Sequence, residues 1–411
     1  MRVSVNRPFA IIILLSVCVT LTFIGQTMPY PVIAPWLQEK GIGLGSLGWL
    51  SFAFSLGNLI GAPFAGGLVD RWGRRPMLLI GLATIVVTNA AVPFFDSFNE
   101  VVMLRFLLGL GNAGTMPAAI AVAADISPED QRARWIGLVT GGISIGLIIG
   151  PTVGGILYDA AGFAMPFYVS ALMAFIAFGL VLLMVPETRS AAMTAHDREH
   201  VGMLDVLRNP PRPLALLAVL LWVDFLWVFS WVSTEPAMLT HLYGDLGYSA
   251  TMFGTSVGVF GAATALVSMV AGGLSDRYGR LPMIALGLFL NVCWYLGVVG
   301  LTDYQMMLGA SIVSGVGAGL VTPALSAAYV DMTDPSHRGR VAALKEMIIS
   351  IGGMSGPLFS VYMTERFQPQ TLLSGMALML VLTAAGIAVM AVHRSRLSPR
   401  NTTQPDSNSE R

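Results

Sequence analysis

Twelve apolar runs of about 20 residues follow one another along this 411-residue chain: 9–30, 48–69, 77–94, 100–124, 135–157, 163–185, 214–239, 250–271, 283–300, 304–329, 341–362 and 371–392. A run of that length crosses roughly 30 Å of hydrocarbon as an α-helix. Inside hydrocarbon the backbone must satisfy its own polar groups, which leaves helices and closed barrels as spanning structures. The runs lack the alternation of barrel strands. The expected fold is therefore an all-α polytopic membrane protein with twelve transmembrane helices. Composition agrees, with 55% hydrophobic and 11% charged residues, against roughly 25% charged in soluble domains.

The runs are not independent. Gly66-Gly67-Leu68-Val69-Asp70-Arg71-Trp72-Gly73-Arg74-Arg75-Pro76 returns 206 positions later as Gly272-Gly273-Leu274-Ser275-Asp276-Arg277-Tyr278-Gly279-Arg280-Leu281-Pro282, with eight of eleven positions identical. The offset persists without a gap: Gly48 meets Gly254, Gly109 meets Gly315, Pro117 meets Pro323, and Asp125 meets Asp331. Arg132 and Arg134 meet Arg338 and Arg340, and Gly150-Pro151 meets Gly356-Pro357. The chain thus reads as two pseudo-symmetric six-helix bundles. Duplicated apolar halves point to a transporter whose site lies where they meet.

Charge placement sets the expected topology. Arginines at 71–75, 132–134, 189–212, 277–280, 338–340 and 394–400 all fall on one side, whereas the opposite loops hold only Lys40 and Arg366. By the positive-inside rule, both termini and the middle loop face the cytoplasm of a cell (inner) membrane. Arg2 and Arg7 resemble the start of a signal peptide, but the first run ends in Met28-Pro29-Tyr30-Pro31 without a cleavage site, so it reads as retained. The domains are expected at 1–189 (first bundle), 190–213 (polar cytoplasmic loop), 214–397 (second bundle) and 398–411 (disordered tail). His196-Asp197-Arg198-Glu199-His200 in the loop fits a zinc-protease pattern formally, yet no third ligand accompanies it, and it reads as a solvated charge run. Cys18 and Cys293 fall inside spans and imply neither disulfide nor metal. No metal and no cofactor is expected.

At the repeated G-x-x-x-D-R-x-G-R element the sequence resembles the major facilitator superfamily, over nearly its whole length. The resemblance implies a conformational latch of Asp70, Arg71, Arg74 and Asp125, closing on the start of helix 11 in one state. Asp276, Arg277, Arg280 and Asp331 form the second copy, at the same 55-residue spacing between the aspartates. Gly142, Gly146, Gly150 and Gly154 are four apart and line one helix face, where they permit close helix packing, and Pro151 adds a bend. With Gly155, this stretch resembles the helix-5 antiporter motif of the drug:proton antiporter branch. Pro186-Glu187-Thr188 fits that branch too.

Candidates for substrate and proton coupling lie on three helices. Arg105 stands where the family's helix-4 arginine is implicated in proton coupling, although Leu108 occupies a position often held by Gln. Gln26 and Tyr30, one turn apart in the proline-rich end of helix 1, are candidate cavity-lining groups; that helix lacks the acid many relatives carry. In helix 7, Asp224 lies about ten residues in, where an ionised acid costs roughly 2.5–3.5 kcal/mol. At 100° per residue Asp224, Val228, Trp231 and Glu235 share a face, flanked by Trp227. Such a face offers a midplane acid, an aromatic wall for cation–π attraction and a second acid beyond it. Lys345 and Glu346, near the start of helix 11, read as snorkelling side chains.

No nucleotide-binding loop is visible, which leaves ion coupling as the energy source. The expected function is secondary active export, by alternating access, of small lipophilic compounds or metabolites, cationic aromatic ones included, in exchange for protons. The partners are then a small-molecule substrate, protons and the lipid bilayer, with no nucleic acid, and a monomer suffices. An uptake symporter or facilitator of a sugar or organic acid is the alternative. An intramembrane enzyme lacks a nucleophile-base pair or metal cluster in the spans, and a scaffold predicts no dependence on Asp224 or the latch.

Overall fold

The computed structural model describes residues 8–128, 131–188, 214–333, 338–364 and 366–397, and their side chains except 44, 63, 65–70, 133, 338–340, 342, 343 and 394–397. The loop expected at 190–213, its His196–His200 stretch and the tail at 398–411 lie outside the described residues. Every apolar run becomes a helix. The first half holds α1 (Pro8–Thr27), the short α2 (Ile33–Glu39), α3 (Leu47–Trp72), α4 (Arg74–Ala91), α5 (Phe98–Asn112), α6 (Thr115–Ile126), α7 (Arg132–Ala161) and α8 (Ala164–Met184). The second holds α9 (Leu214–Leu239), α10 (Ala250–Tyr278), α11 (Arg280–Gly300), α12 (Tyr304–Met332), α13 (Arg338–Thr364) and α14 (Pro369–Leu397). Among the described residues eleven spans, with α5 and α6 counted as one, are long and apolar enough to cross a membrane. The 26-residue α3 is the twelfth. The protein is a multi-pass membrane protein with twelve membrane spans.

Three local features were not legible as apolar runs. The fourth span breaks between Asn112 and Thr115. There Pro117 has no N–H for the Ala113 carbonyl, and Gly114 adds conformational freedom. Its counterpart Pro323 sits inside the unbroken α12, so the proline alone does not force the break. The seventh span ends in a π-helical turn at Thr240–Asp245, after Pro236. Finally, α2 folds back over one end of the molecule and buries Ala34, Trp36 and Leu37.

The glycines that mark the repeat serve helix approach. A Cβ on Gly109 would collide with the Phe54 carbonyl oxygen of α3, and one on Gly315 with that of Phe260 in α10. On α7, Gly142, Gly146, Gly150 and Gly154 all press against α1 between Ser16 and Met28. Pro151 and Gly155 face the other half, where Gly254 meets the Pro151 carbonyl and Gly155 the Ala250 carbonyl. The predicted glycine face is thus an intra-half seam, and the neighbouring face is the seam between halves.

Among the described residues, all hydrogen bonds between the halves lie toward the arginine-poor end. Thr152 Oγ1 donates to the Gly254 carbonyl (3.1 Å), the Thr251 N–H to Asp159 Oδ2 (2.9 Å), and Tyr243 Oη to the Pro31 carbonyl (2.7 Å). A second seam places Gly48 of α3 against Pro357 and Val361 of α13. The halves are joined at the arginine-poor end in this conformation.

Candidate functional site

Helix α9 carries two acids three turns apart, and the structure gives them different surroundings. Glu235 lies immediately before Pro236, near the seam between halves, and is only 9% exposed. Among the described residues, none forms an ion pair within 4.0 Å or a hydrogen bond of ordinary geometry with it. The charge that acts on it is Arg105, reaching across from α5, and Tyr30, from the turn after α1, brings a neutral hydroxyl to its side. The Tyr30 hydroxyl is buried and within electrostatic reach of Glu235, but makes no hydrogen bond of ordinary geometry. An acid so placed can hold either a proton or a cation, and little else.

Aromatic rings wall this acid. One turn before Glu235, Trp231 stacks on Tyr30 (6.3 Å, 20°) and on Phe260 of α10 (6.3 Å, 22°), and leans on Trp294 of α11 (5.9 Å, 36°). Tyr30 also meets Phe253 of α10 at 5.6 Å. Trp294 is fixed by burial and by its indole N–H, which points at Met238 Sδ (3.2 Å). Rings from both halves therefore meet at one point beside one carboxyl group. Trp227, expected at the flank of this face, packs half-buried against the apolar cluster to which both halves contribute.

Asp224 does not join this group. It is 6% exposed and accepts a hydrogen bond from Tyr329 Oη of α12 (2.7 Å), with Lys345 Nζ of α13 at 4.0 Å. The ammonium of Lys345 also lies 5.7 Å from the centre of the Tyr329 ring. Instead of snorkelling, Lys345 turns inward. Gln26 also points elsewhere: its Nε2 donates to Asn112 Oδ1 (2.9 Å), tying α1 to the break in the fourth span.

The residues that the family resemblance implies for a latch cluster at the arginine-rich end, in two unequal copies. In the first half Arg74 is buried and its Nε lies 3.2 Å from Asp125 Oδ2, which also accepts from Thr188 Oγ1 (2.9 Å). The Glu187 carboxylate accepts from the N–H groups of Arg74 (3.0 Å) and Arg75 (3.1 Å), capping the start of α4. This negative charge at a helix N-terminus offsets its dipole, a role for Pro-Glu-Thr that its position after the sixth span could have signalled. In the second half the half-buried Arg280 reaches both the exposed Asp331 (2.9 Å) and the exposed Asp276 (2.5 Å), while Arg277 leans over the Tyr278 ring (5.4 Å). Arg71 is exposed. The side chains of Asp70 and of 338–340, at the start of α13, lie outside those described.

Two six-helix halves, related by an internal repeat and meeting around a buried acid, define a membrane transporter. The model of the Major Facilitator Superfamily matches residues 15–235 and 225–410, and the chain belongs to that family. Transport, not enzymatic catalysis, is the activity of such a protein. The chain is 26% identical over 362 residues to multidrug resistance protein 2 of Bacillus subtilis (strain 168), covering 87% of this chain and 89% of that one. It is 24% identical over 391 residues to quinolone resistance protein NorA of Staphylococcus aureus (strain COL), covering 93% and 96%. Among solved structures, a bacterial homologue of the human lysosomal transporter Spinster, in an inward-facing and unoccupied conformation, superposes with a TM-score of 0.74 at 18% identity, covering 96% of each chain. A D-xylose–proton symporter superposes with a TM-score of 0.71 at 15% identity, covering 93% of this chain and 97% of that one. These two likenesses speak for the fold alone.

Proposed function

We propose that this protein exports small lipophilic compounds, cationic aromatic ones among them, across the cell membrane in exchange for protons. The observation that carries the reading is Glu235, a buried acid with no ion pair within 4.0 Å among the described residues, set between Tyr30, Arg105 and the Trp231 ring at the junction of the halves. The names of the relatives, multidrug and quinolone resistance proteins, support export of such compounds.

The arginine-rich end is then cytoplasmic, and the conformation described is the one sealed toward the exterior. A cation entering from the cytoplasm meets the Glu235 carboxylate and the faces of Trp231 and Tyr30, whose attraction contributes roughly 0.5–2 kcal/mol. The same carboxylate cannot hold a proton while it holds the cation. Mutual exclusion at one carboxyl group makes the exchange obligatory: substrate leaves when a proton from the exterior takes its place, and the proton is released inside when the next cation binds. Arg105 supplies the counter-charge while the site holds neither. A single chain suffices for this cycle.

The test is uptake into inside-out membrane vesicles, paired with counterflow in proteoliposomes. Tetraphenylphosphonium should accumulate when the vesicle interior is made acid, and a proton uncoupler should abolish the accumulation. Accumulation insensitive to the uncoupler, or counterflow supported by a neutral sugar but by no lipophilic cation, overturns the proposal.

A further inference from the structure

We propose that Asp224, Tyr329 and Lys345 form a second proton-binding site, separate from Glu235, in which Lys345 is a built-in counter-cation that an arriving proton releases. The proposal rests on proton coupling as read above, but not on the identity of the substrate.

The internal repeat supplies the control. Carried back from Gly48 and Gly254, the 206-residue offset of the repeat also pairs the first helix of one half with the first helix of the other. The same offset places Cys18, Ala123 and Val139 where the second half has Asp224, Tyr329 and Lys345. All three first-half residues are buried, at 4%, 0% and 0% exposure, in one apolar cluster. The junction of these three helices is therefore filled without any charge in one half of the same chain. A charged pair in the other half is not needed for packing, and apolar replacement of buried pairs is often neutral or stabilising. Its presence calls for a function.

The geometry indicates which. Asp224 has one firm partner, the Tyr329 hydroxyl at 2.7 Å, and one at the limit of an ion pair, Lys345 at 4.0 Å. Tyr329 ties α9 to α12, whereas Lys345 ties α9 to α13. The titratable groups that act on Asp224 are Tyr329 from α12, and Lys345 and Glu346 from α13. When a proton binds Asp224, the carboxylate charge disappears and the ammonium keeps its own protons, so the site goes from neutral to singly positive. Lys345 then has no reason to stay in a low-dielectric pocket. It lies in the second turn of α13, and its stem lets the ammonium extend to the arginine-rich end. The tie to α12 survives, and the tie to α13 is lost.

Helix α13 also forms one of the two seams between the halves, through Pro357 and Val361 against Gly48. Loss of the ionic tie near its start leaves α13 held to α9 by packing alone, through Gly352 against Phe225 and Gly356 against Phe229 and Val232, and so a proton bound at Asp224 weakens a constraint on the seal.

The test places spin labels at Leu214 of α9 and Ile351 of α13, both exposed, after replacing Cys18 and Cys293. Distances are measured in nanodiscs without substrate. Acidifying the buffer from mildly alkaline to mildly acid should change the ratio of two distance populations at least threefold. Asp224→Asn should show the acid-type distribution at both conditions. The double variant Asp224→Asn/Lys345→Gln, which leaves no unpaired buried charge, should be insensitive to pH. Lys345→Arg and Glu235→Gln should keep the response. A response that survives in the double variant, that is lost in Glu235→Gln alone, or that is missing from the parent protein overturns the proposal. Failure of the export reading shows instead as uncoupler-insensitive transport.

Discussion

Gly150 of α7 lies so close to Thr27 of α1 that a single added methyl group would overlap the threonine hydroxyl. This contact is within one half. The next residue, Pro151, offers its carbonyl to Gly254 of the other half, so one short stretch serves both an intra-bundle seam and an inter-bundle seam. The two should respond differently to substitution.

Gly150→Leu forces α1 and α7 apart inside the first bundle, an overpacking that costs on the order of 1–3 kcal/mol or more. Transport should be abolished while the protein still inserts, and thermal stability in detergent should fall. Normal transport by this variant would show that the α1–α7 approach has slack.

Gly155→Ala places its methyl group against the Ala250 carbonyl at the junction of the halves. Bundle stability should be kept, but the seal at the arginine-poor end should loosen. A cysteine introduced in place of Ala250, buried at 1% exposure, should become several-fold more reactive to a membrane-impermeant thiol reagent from the exterior in the Gly155→Ala background. Unchanged reactivity would place the gate elsewhere.

The two latch copies should not be equivalent. Asp125→Asn removes the carboxylate that pairs with the buried Arg74 guanidinium among the described residues, a loss on the order of 3 kcal/mol. Asp331→Asn leaves Arg280 paired with Asp276 at an exposed site, where a lost pair costs below about 1 kcal/mol. Melting temperatures should therefore fall clearly for the first variant and little for the second. Turnover should fall more than substrate affinity if the triad acts on the conformational equilibrium. Equal shifts in both variants would remove the asymmetry argued from burial.

The apolar runs and the 206-residue repeat made the twelve helices and their pairing legible, because both follow from hydrocarbon thickness and gene-level duplication rather than from side-chain detail. The glycine face of α7 was legible for the same reason, since a four-residue spacing admits one geometric reading. What it packs on was not, because the neighbouring face of the same helix also carries small residues. The site was only partly readable. Glu235 and Trp231 fall together as their spacing predicts, yet Asp224, nominally on the same face, answers to Tyr329 and Lys345, which are more than a hundred residues away in sequence. Lys345 could have been flagged as one of only two lysines, but its direction, inward or snorkelling, depends on whether a carboxylate waits inside. Tyr30 was a candidate from position alone; its stacking against Trp231 joins two residues 201 positions apart in opposite halves.

The most discriminating substitution at the central site is Glu235→Gln. The amide keeps the size of the side chain and can still touch Tyr30, but it neither binds a proton nor carries a charge beside Arg105. If the carboxylate is the point of exchange, Glu235→Gln should abolish proton-driven accumulation of tetraphenylphosphonium while leaving the protein folded and membrane-inserted. Binding of that cation to purified protein should weaken by about tenfold or more, since a charge-assisted contact at a desolvated site accounts for roughly 1.5–3 kcal/mol. Trp231→Ala, which removes the ring but keeps the acid, should weaken binding by only about 2- to 30-fold, the range of one cation–π contact, and should leave the proton dependence in place. A neutral lipophilic substrate should lose affinity in Trp231→Ala but not in Glu235→Gln. Should Glu235→Gln bind and accumulate the cation as the parent does, with the same response to the uncoupler, the exchange does not pass through this acid.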